Sequence, residues 1–374
     1  MPELTIKPVA TARDRRRFQH LPWFIYSGDP NWVPPLLSSE AELLGWRGHP
    51  FYNNAEVHTL LAEQDGVPAG RLAVLVNHVH NRHHGDQRGF FGFFECLNEP
   101  QVAAGLFDAG ERWLRHRGMT AVRGPANPSL NHTCGLLIRG RNAPPRFMMS
   151  YNPSYYESLL RACGFHTAQD LFAYEMGTGE LLEVVERYKR ATTSAANRAD
   201  VHIRPFDPTR FDREVHTYLD IYNRAMDGTW GFAPLQPSEA KRIARELRRL
   251  LVPELARFVE VRGEPVGAVL ALPDYNKVLR KLNGRLFPLG FLRLIIERPA
   301  IDAVRTIAMT MTPEYRHAGL ATALLSSVVL SAAAHGIKQW EFSWVLESNN
   351  RSRRPLEKCG MSVSKIYRLY EKVL

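Results

Sequence analysis

The sequence predicts a mixed α/β chain built as two tandem units, and three observations carry that reading. "LTIKPV" at residues 4–9 matches "VHIRPF" at 201–206, and "DGVPAG" at 65–70 matches "RGEPVG" at 262–267, both at an offset of 197. "RACGFHTAQDLFAYE" from Arg161 matches "EKCGMSVSKIYRLYE" from Glu357 at an offset of 196, with the Cys-Gly pair, Tyr174/Tyr370 and Glu175/Glu371 in register. A generic strand and turn vocabulary does not hold one offset across most of a chain, so duplication is the better account.

The order of elements repeats in each half. A β-like segment and a helical stretch come first, then a hairpin whose turn is Asp65-Gly66 or Arg262-Gly263-Glu264 between alternating apolar runs. Long helices follow at 101–117 and 319–335, each stopped by a glycine suited to a C-terminal cap, Gly118 or Gly336. Next come strands at 122–124 and 340–346, second helices at 155–163 and 351–359, and last strands at 171–176 and 364–372. This order predicts mixed sheets covered by helices. The chain divides into a first domain at 1–177, a helical linker at 178–200 and a second domain at 201–374.

The halves differ in their insertions. "GPANPSLNHTCGLLIRGRNAPPRFMMSYNP" at 124–153 is rich in Pro and Gly, suggests no regular element, and reads as a structured functional loop. Its Ser129, Asn131, Tyr151 and Asn152, with Tyr155 just beyond, are candidates to line a substrate; stapling the loop is the alternative. In the second half, residues 276–304 alternate Leu, Ile and Phe with Lys277, Arg280, Lys281, Arg285 and Arg293. Such a basic amphipathic stretch suits an acyl chain, a membrane interface or inward packing.

Composition narrows the classes. At 374 residues the chain exceeds one typical core, and 45% hydrophobic with 23% charged residues excludes disordered and fibrous readings. Lys and Arg number 48 against 38 Asp and Glu, and the net charge of +10 favours anionic ligands, anionic membranes or nucleic acid without choosing among them. Basic residues lie scattered on helices such as "KRIARELRRL", with no nucleic-acid motif, so no nucleic-acid partner is expected. Cys96, Cys134, Cys163 and Cys359 form no CxxC pair, which fits the cytoplasm. The N-terminal stretch has no apolar leader, and the charge-free run at 320–334 falls short of the roughly 18 to 20 residues of a membrane span. His78, His80, His83 and His84 in "NHVHNRHHGDQ" read as a solvated loop rather than a metal site, and no metal is expected.

"TPEYRHAGLATALL" at 312–325 joins an extended run to an apolar helix. A helix start leaves backbone N–H groups unpaired at the positive end of the macrodipole, Gly and Ala let an anion approach them, and Arg316 adds charge. No GK[ST] follows, so a pyrophosphate is indicated rather than a nucleoside triphosphate. At these residues the chain resembles the Gcn5-related N-acetyltransferase (GNAT) superfamily, whose Arg/Gln-x-x-Gly-x-Gly/Ala turn between its fourth strand and third helix holds the pyrophosphate of coenzyme A. A second superfamily block resembles "NNRSRRPLEKCGM", with Asn349, Ser352, Leu356, Glu357, Lys358, Gly360 and Met361 at matching spacing. Leu356 stands where the superfamily often has a Tyr assigned to protonating the leaving thiolate.

The resemblance implies two tandem GNAT-like acyl-CoA N-acyltransferase folds. The second would hold the coenzyme through Met309, Thr310, Met311, Arg316, His317, Ala318, Gly319, Leu320, Ala321, Thr322, Asn349 and Ser352, and the first, with no such turn before Gln101, would be degenerate. "DPNWVPPL", "GFFGFFE", "GPANPSLN", "YNPSYY" and "LPDYN...NGRLFP" further resemble the tandem family that includes bacterial ceramide synthases, which implies a long-chain acyl-CoA as cosubstrate and a sphingoid amine as acceptor.

Acyl transfer from a thioester needs a deprotonated amine, a stabilised carbonyl oxygen and a protonated thiolate. Glu347, at a strand end, is the candidate base, and Asn349 the candidate to orient thioester or coenzyme; a solvated strand-end carboxylate is the alternative for the first. Tyr367 and Tyr370 are candidate acids, or simply core aromatics. Trp230 and Phe232 in "MDGTWGFAP" lie where the superfamily builds its acceptor wall. The expected partners are a CoA thioester and an amine, with a lipid acceptor and peripheral contact at the inner membrane face as the finer expectation. A short-chain acetyltransferase and a non-catalytic acyl-CoA-binding protein stay open.

Overall fold

A computed structural model of the chain describes residues 3–188, 200–287, 289–316 and 319–374. The strands are β1 (Leu4–Pro8), β2 (Ala55–Gln64), β3 (Val67–Asn77), β4 (Arg88–Cys96), β5 (Ala121–Gly124), β6 (Ala126–Asn127), β7 (Thr133–Cys134), β8 (Leu136–Arg139), β9 (His166–Gly177), β10 (Val201–Pro205), β11 (Ala256–Val261), β12 (Glu264–Pro273), β13 (Ala303–Met311), β14 (Gln339–Leu346) and β15 (Ser362–Val373). Two compact units result. One takes the chain up to Leu171 with Val278–Phe291 and Lys365–Leu374; the other takes Phe172–Lys277 and Leu292–Ser364.

In the first unit the strand order is β1-β2-β3-β4-β5-β15, with β8 also on β15; in the second it is β10-β11-β12-β13-β14-β9. The opening hairpins agree in detail. Asp65 and Gly66 have φ of 48° and 76°, and Arg262 and Gly263 have φ of 55° and 82°, the left-handed pair that a two-residue turn needs to match strand twist. Glu264, expected in the turn, is instead the first residue of β12 and pairs with Val261. A bulge follows at Ala62/Glu63 and again at Val259/Glu260, 197 residues later.

Each sheet carries one long helix. Pro100–Arg115 buries Val102, Leu106, Phe107 and Leu114, and Leu320–Ala334 buries Leu324, Val328, Val329 and Ala332. The second helix is apolar but not wholly enclosed, since Leu330 lies 54% exposed. Gly118 and Gly336 follow these helices at φ of 73° and 75°.

The closing strands are exchanged, a feature the chain order does not disclose. The strand that ends the chain, β15, pairs with β5 through Tyr370↔Gly124 to Val373↔Ala121. Side chains fix it there. Arg368 holds Asp170 at 2.6 Å, Glu371 accepts from Arg123 at 2.9 Å and Arg88 at 3.0 Å, and Lys372 donates to Glu111 at 2.6 Å. In the second unit β9 occupies the matching edge beside β14, where Tyr174 donates to Glu357 at 2.8 Å.

Two local expectations are corrected. The Pro/Gly-rich insertion contains regular structure, with β6 and β7 forming a small ladder and β8 pairing with β15. The histidine-rich run is the helix His78–His84 rather than a solvated loop: the Asn77 side chain accepts from His80 N, Gly85 closes it in the left-handed conformation, and His80 packs edge-on against Phe90. Burial, with neighbouring positive charge, holds the His80 imidazole down at about 3.

Candidate functional site

In the second unit, β13 and β14 run parallel and pair only from Ala303↔Gln339 to Thr306↔Phe342. Both strands then continue, to Met311 and Leu346, with their facing edges unpaired by each other. A buried polar network anchors the last paired residues. Trp340 Nε1 donates to Thr306 Oγ1 at 2.6 Å, Arg305 Nε donates to Ser343 Oγ at 2.7 Å, and Ser343 Oγ donates to Glu341 Oε1 at 2.5 Å.

Thr312 N–H donates to Val266 O at 2.9 Å on the β12 side. Amides alternate in direction along a strand, so those of Met311 and Met309 face the gap beside β14. Thr310 is buried, with its hydroxyl 3.5 Å from Ala268 O. The gap therefore offers backbone donors at alternate residues, geometry suited to an extended ligand bearing amide and carbonyl groups.

At the end of β13 the chain reaches the turn that opens the long helix. Gly319, at φ 72°, takes a conformation costly for any residue with a Cβ, and among the described residues no side chain caps the first turn. Leu320 is buried behind it, Ala321 is half-buried, and Thr322 is exposed. Arg316 is tied down: its guanidinium donates to Ala225 O at 2.7 Å and to Met311 O at 3.4 Å, bracing the turn. His317 and Ala318 lie outside the described residues. Uncapped N–H groups at the positive end of a helix, approached past a glycine, fit a pyrophosphate.

The first unit has the same frame with these features filled. β4 and β5 pair only from Arg88↔Ala121 to Phe90↔Arg123. Leu97 N–H donates to Ala69 O at 2.9 Å, as Thr312 does to Val266. The next amide, Cys96 N, is already bonded to Tyr156 OH at 3.0 Å, and Phe93 N to Asn127 Oδ1 at 2.6 Å. Only residues 97–99 separate β4 from its helix, where 312–319 separate β13 from the other. The shorter connection leaves no room for a phosphate turn.

The description Acetyltransferase (GNAT) family matches residues 215–361, which include the gap and the turn. Over its full length the chain is similar to the bacterial ceramide synthase of Caulobacter vibrioides, with 33% identity across 381 positions covering 100% of this chain and 98% of that one. This chain belongs to the tandem GNAT family that includes bacterial ceramide synthase. It is an acyl-CoA N-acyltransferase by that membership. Protein YghO of Escherichia coli is 29% identical over 373 residues, covering 98% of this chain and 95% of its own. Two solved structures share the fold across 99% of the chain. A tandem GNAT protein from the clavulanic acid biosynthesis pathway has a TM-score of 0.58 at 12% identity, with 98% of its chain covered; a GCN5-related N-acetyltransferase from Sphaerobacter thermophilus has 0.54 at 16%, with 95% covered.

Around this GNAT gap, Glu347 follows the end of β14 with its side chain exposed and its carbonyl accepting from Arg353 at 2.7 Å. Asn349 caps the helix Asn350–Lys358 by accepting from Ser352 N at 3.2 Å, and Leu356 is buried. Tyr367 and Tyr370 are fully buried on the portion of β15 belonging to the first unit. Burial, helped by the charge of Glu157, raises the Tyr370 phenol well above its ordinary range.

The first unit's insertion residues make internal bonds. Asn152 accepts from Leu137 N at 2.7 Å and donates to Pro153 O at 2.9 Å; Tyr155 donates to Cys96 O at 2.9 Å; Tyr151 donates to Asp29 at 2.9 Å. Asn131 donates its backbone N–H to Ser129 Oγ at 3.2 Å. In the second unit Phe232 is buried 6.0 Å from the Tyr222 ring, and Trp230 is half-buried.

Two groups escape a reading of the GNAT motifs alone. Arg305 and Glu341 look like ordinary strand charges until the sheet buries them. Glu95 ends the aromatic run "GFFGFFE", and burial pushes its carboxyl up to about 7 against the pull of Arg71. A lone carboxylate closing an aromatic strand is the signal that points to it.

Proposed function

We propose that the chain joins a long-chain acyl group, carried as a CoA thioester, to the primary amine of a sphingoid base. The observation that carries this reading is the 33% identity, over the whole length of both chains, to a bacterial ceramide synthase. The second unit is assigned the coenzyme and residues 1–177 the degenerate role, because among the described residues only the second has an open amide edge and a longer connection before its helix. Met309 and Met311 N–H hold the pantetheine and thioester oxygens, and the first turn from Gly319 to Thr322 takes the pyrophosphate with support from Ser352. Asn349, braced by its cap, orients the coenzyme. Glu347 accepts the proton lost by the amine as the C–N bond forms and the C–S bond breaks, and the sulfur departs as a thiol after taking a proton from water. Tyr367 and Tyr370 are then core aromatics, while Trp230 and Phe232 border the acceptor.

Purified protein is incubated with sphinganine and either palmitoyl-CoA or acetyl-CoA, and amide products are measured by mass spectrometry. The expected result is N-palmitoyl product from wild type and none from Gly319→Glu. An acetyl product alone would replace the long-chain reading, and CoA binding without either product would leave a binding protein.

The stretch around the helix Gly290–Ile296 supports contact with an anionic membrane. Phe287, Leu289, Leu292, Ile295 and Ile296 are all exposed, with Arg285 and Arg293 among them. Among the described residues no helix is long and apolar enough to cross a membrane. Flotation with phosphatidylglycerol vesicles tests the contact; recovery of all the protein in the unbound fraction would exclude it.

A further inference from the structure

We propose that the first unit holds a binding site for an alkylammonium group, with Glu95 as its anion and Tyr26, Trp32 and Tyr151 as its walls. The site does not depend on the acyltransferase reading above.

Glu95 lies beyond the last residue at which β4 pairs with β5, on the strand edge that the other unit opens to its ligand. Its Oε2 accepts from Tyr156 OH at 2.6 Å and Tyr26 OH at 2.9 Å. The nearest cation serves another group first. Arg71 stands 2.9 Å from Glu40 and donates to Phe18 O at 3.0 Å, but lies 3.8 Å from Glu95 Oε1. Arg71 and Glu40 are 3% and 5% exposed, yet Arg71 Nε and Glu40 Oε2 have no hydrogen-bond partner among the described residues. Of these two only Glu40 Oε2 is an acceptor, the kind of atom that an ammonium N–H satisfies. Glu95 itself keeps 14% of its side chain accessible.

The walls have the chemistry of a cation site. Tyr26 stacks on Trp32 with ring centroids 4.9 Å apart, and Tyr151 lies 6.2 Å from Tyr26. Asp29, which accepts from Tyr151 OH, has no ion-pair partner among the described residues. Arg71 is matched by Glu40, and Glu95 stands beside electron-rich rings that attract an ammonium; Arg141, whose charge acts on Tyr151, and Arg280, which donates to Pro30 O at 2.6 Å, flank the walls on the Asp29 side. A carboxyl balanced near neutrality is poised to ionise when a cation arrives, and its desolvation is offset by that cation. Four separated stretches meet here: "DPNWVPPL" gives Asp29 and Trp32, "GFFGFFE" gives Glu95, "YNPSYY" gives Tyr151 and Tyr156, and Asn283 from "NGRLFP" accepts from Trp23 Nε1 at 2.6 Å, with Trp23 edge-on to Trp32. The register-equivalent position in the other unit is the uncharged Thr310.

The test titrates full-length protein with dodecylamine hydrochloride and, separately, 1-dodecanol, both below their micellar or solubility limits, by calorimetry at pH 7.5. Wild type is expected to bind the ammonium at least tenfold more tightly than the alcohol. Glu95→Gln should lose that tenfold preference and keep alcohol binding, while Glu264→Gln, in an exposed hairpin, keeps both. Should Glu95→Gln fail to fold, Trp32→Leu is expected to weaken ammonium binding several-fold with the alcohol unchanged. No preference in wild type, or a preference that survives in Glu95→Gln, overturns the site.

Discussion

Arg71 and Glu95 face each other across β3 and β4 at the register that Ala268 and Thr310 hold across β12 and β13. The backbone of the two units is duplicated down to the hairpin bulge at Ala62/Glu63 and Val259/Glu260, and the chemistry has moved apart on it. In one unit the strand edge beside these residues is open; in the other it is closed by Tyr156 and Asn127 and carries charge.

Glu95 should make the protein less stable as pH rises. Its folded carboxyl, near 7, binds a proton more tightly than the unfolded one near 4.5, so the native state gains most below about pH 4.5 and loses that advantage as pH climbs through 7. The loss is on the order of 3 kcal/mol. Glu239 acts in the same sense, so the informative quantity is the difference between wild type and Glu95→Gln in denaturant unfolding between pH 5 and 8. That difference is expected to shift steadily in favour of Glu95→Gln with pH; parallel curves would show Glu95 to be ionised throughout.

Thr322 gives a prediction in which two readouts move oppositely. It is exposed in the uncapped first turn of Leu320–Ala334, where Thr322→Glu adds negative charge against the helix dipole and should stabilise the fold by about 0.5 kcal/mol. The same charge repels a pyrophosphate, so CoA affinity should fall at least tenfold. Thermal unfolding and calorimetric titration with CoA check both; unchanged CoA binding would move the phosphates elsewhere.

How far this was legible from the sequence depends on the range of the interaction. Local chemistry could be read directly: Asp65-Gly66 and Arg262-Gly263 make their turns because left-handed φ is encoded on the spot, and Gly319 begins its helix for the same reason. The destination of β15 could not, because Arg368 finds Asp170 and Lys372 finds Glu111 across much of the chain and no period reveals it. Glu95 is an ordinary strand carboxylate in the sequence, since only the arrival of Tyr26, Tyr156 and Arg71 from distant segments makes it chemically unusual. The histidine run reads as a loop because its polarity hides the Asn77 cap and the packing of His80 on Phe90.

The exchanged strand predicts an effect at long sequence distance. Glu371 accepts from Arg123, which is buried, and from Arg88. Glu371→Ala removes the carboxylate to which Arg123 donates, a change worth about 2 kcal/mol for a partly exposed pair. Hydrogen exchange of the amides in β5, from Ala121 to Gly124, should quicken while that of β11 stays as in wild type. Equal protection of β5 in both proteins would argue that β15 is held by its backbone ladder alone.

Asn349 offers the closest separation of structure from chemistry. Its Oδ1 caps Asn350–Lys358 through Ser352 N, and its Nδ2 makes no bond among the described residues, leaving a donor for the coenzyme. The helix begins with Arg351, Arg353 and Arg354 and no acid in its first turn, so the dipole is unrelieved except by the cap. Asn349→Ala should therefore lose about 1 kcal/mol of stability as well as thioester affinity. Asn349→Asp keeps the capping oxygen, adds a charge favourable to the helix, and removes the amide donor. It should unfold at or above the wild-type temperature while its KM for the acyl-CoA rises at least fivefold. If turnover in Asn349→Asp instead follows its stability and stays at the wild-type level, the side chain is a cap and the coenzyme is oriented by the amides of Met309 and Met311 without it.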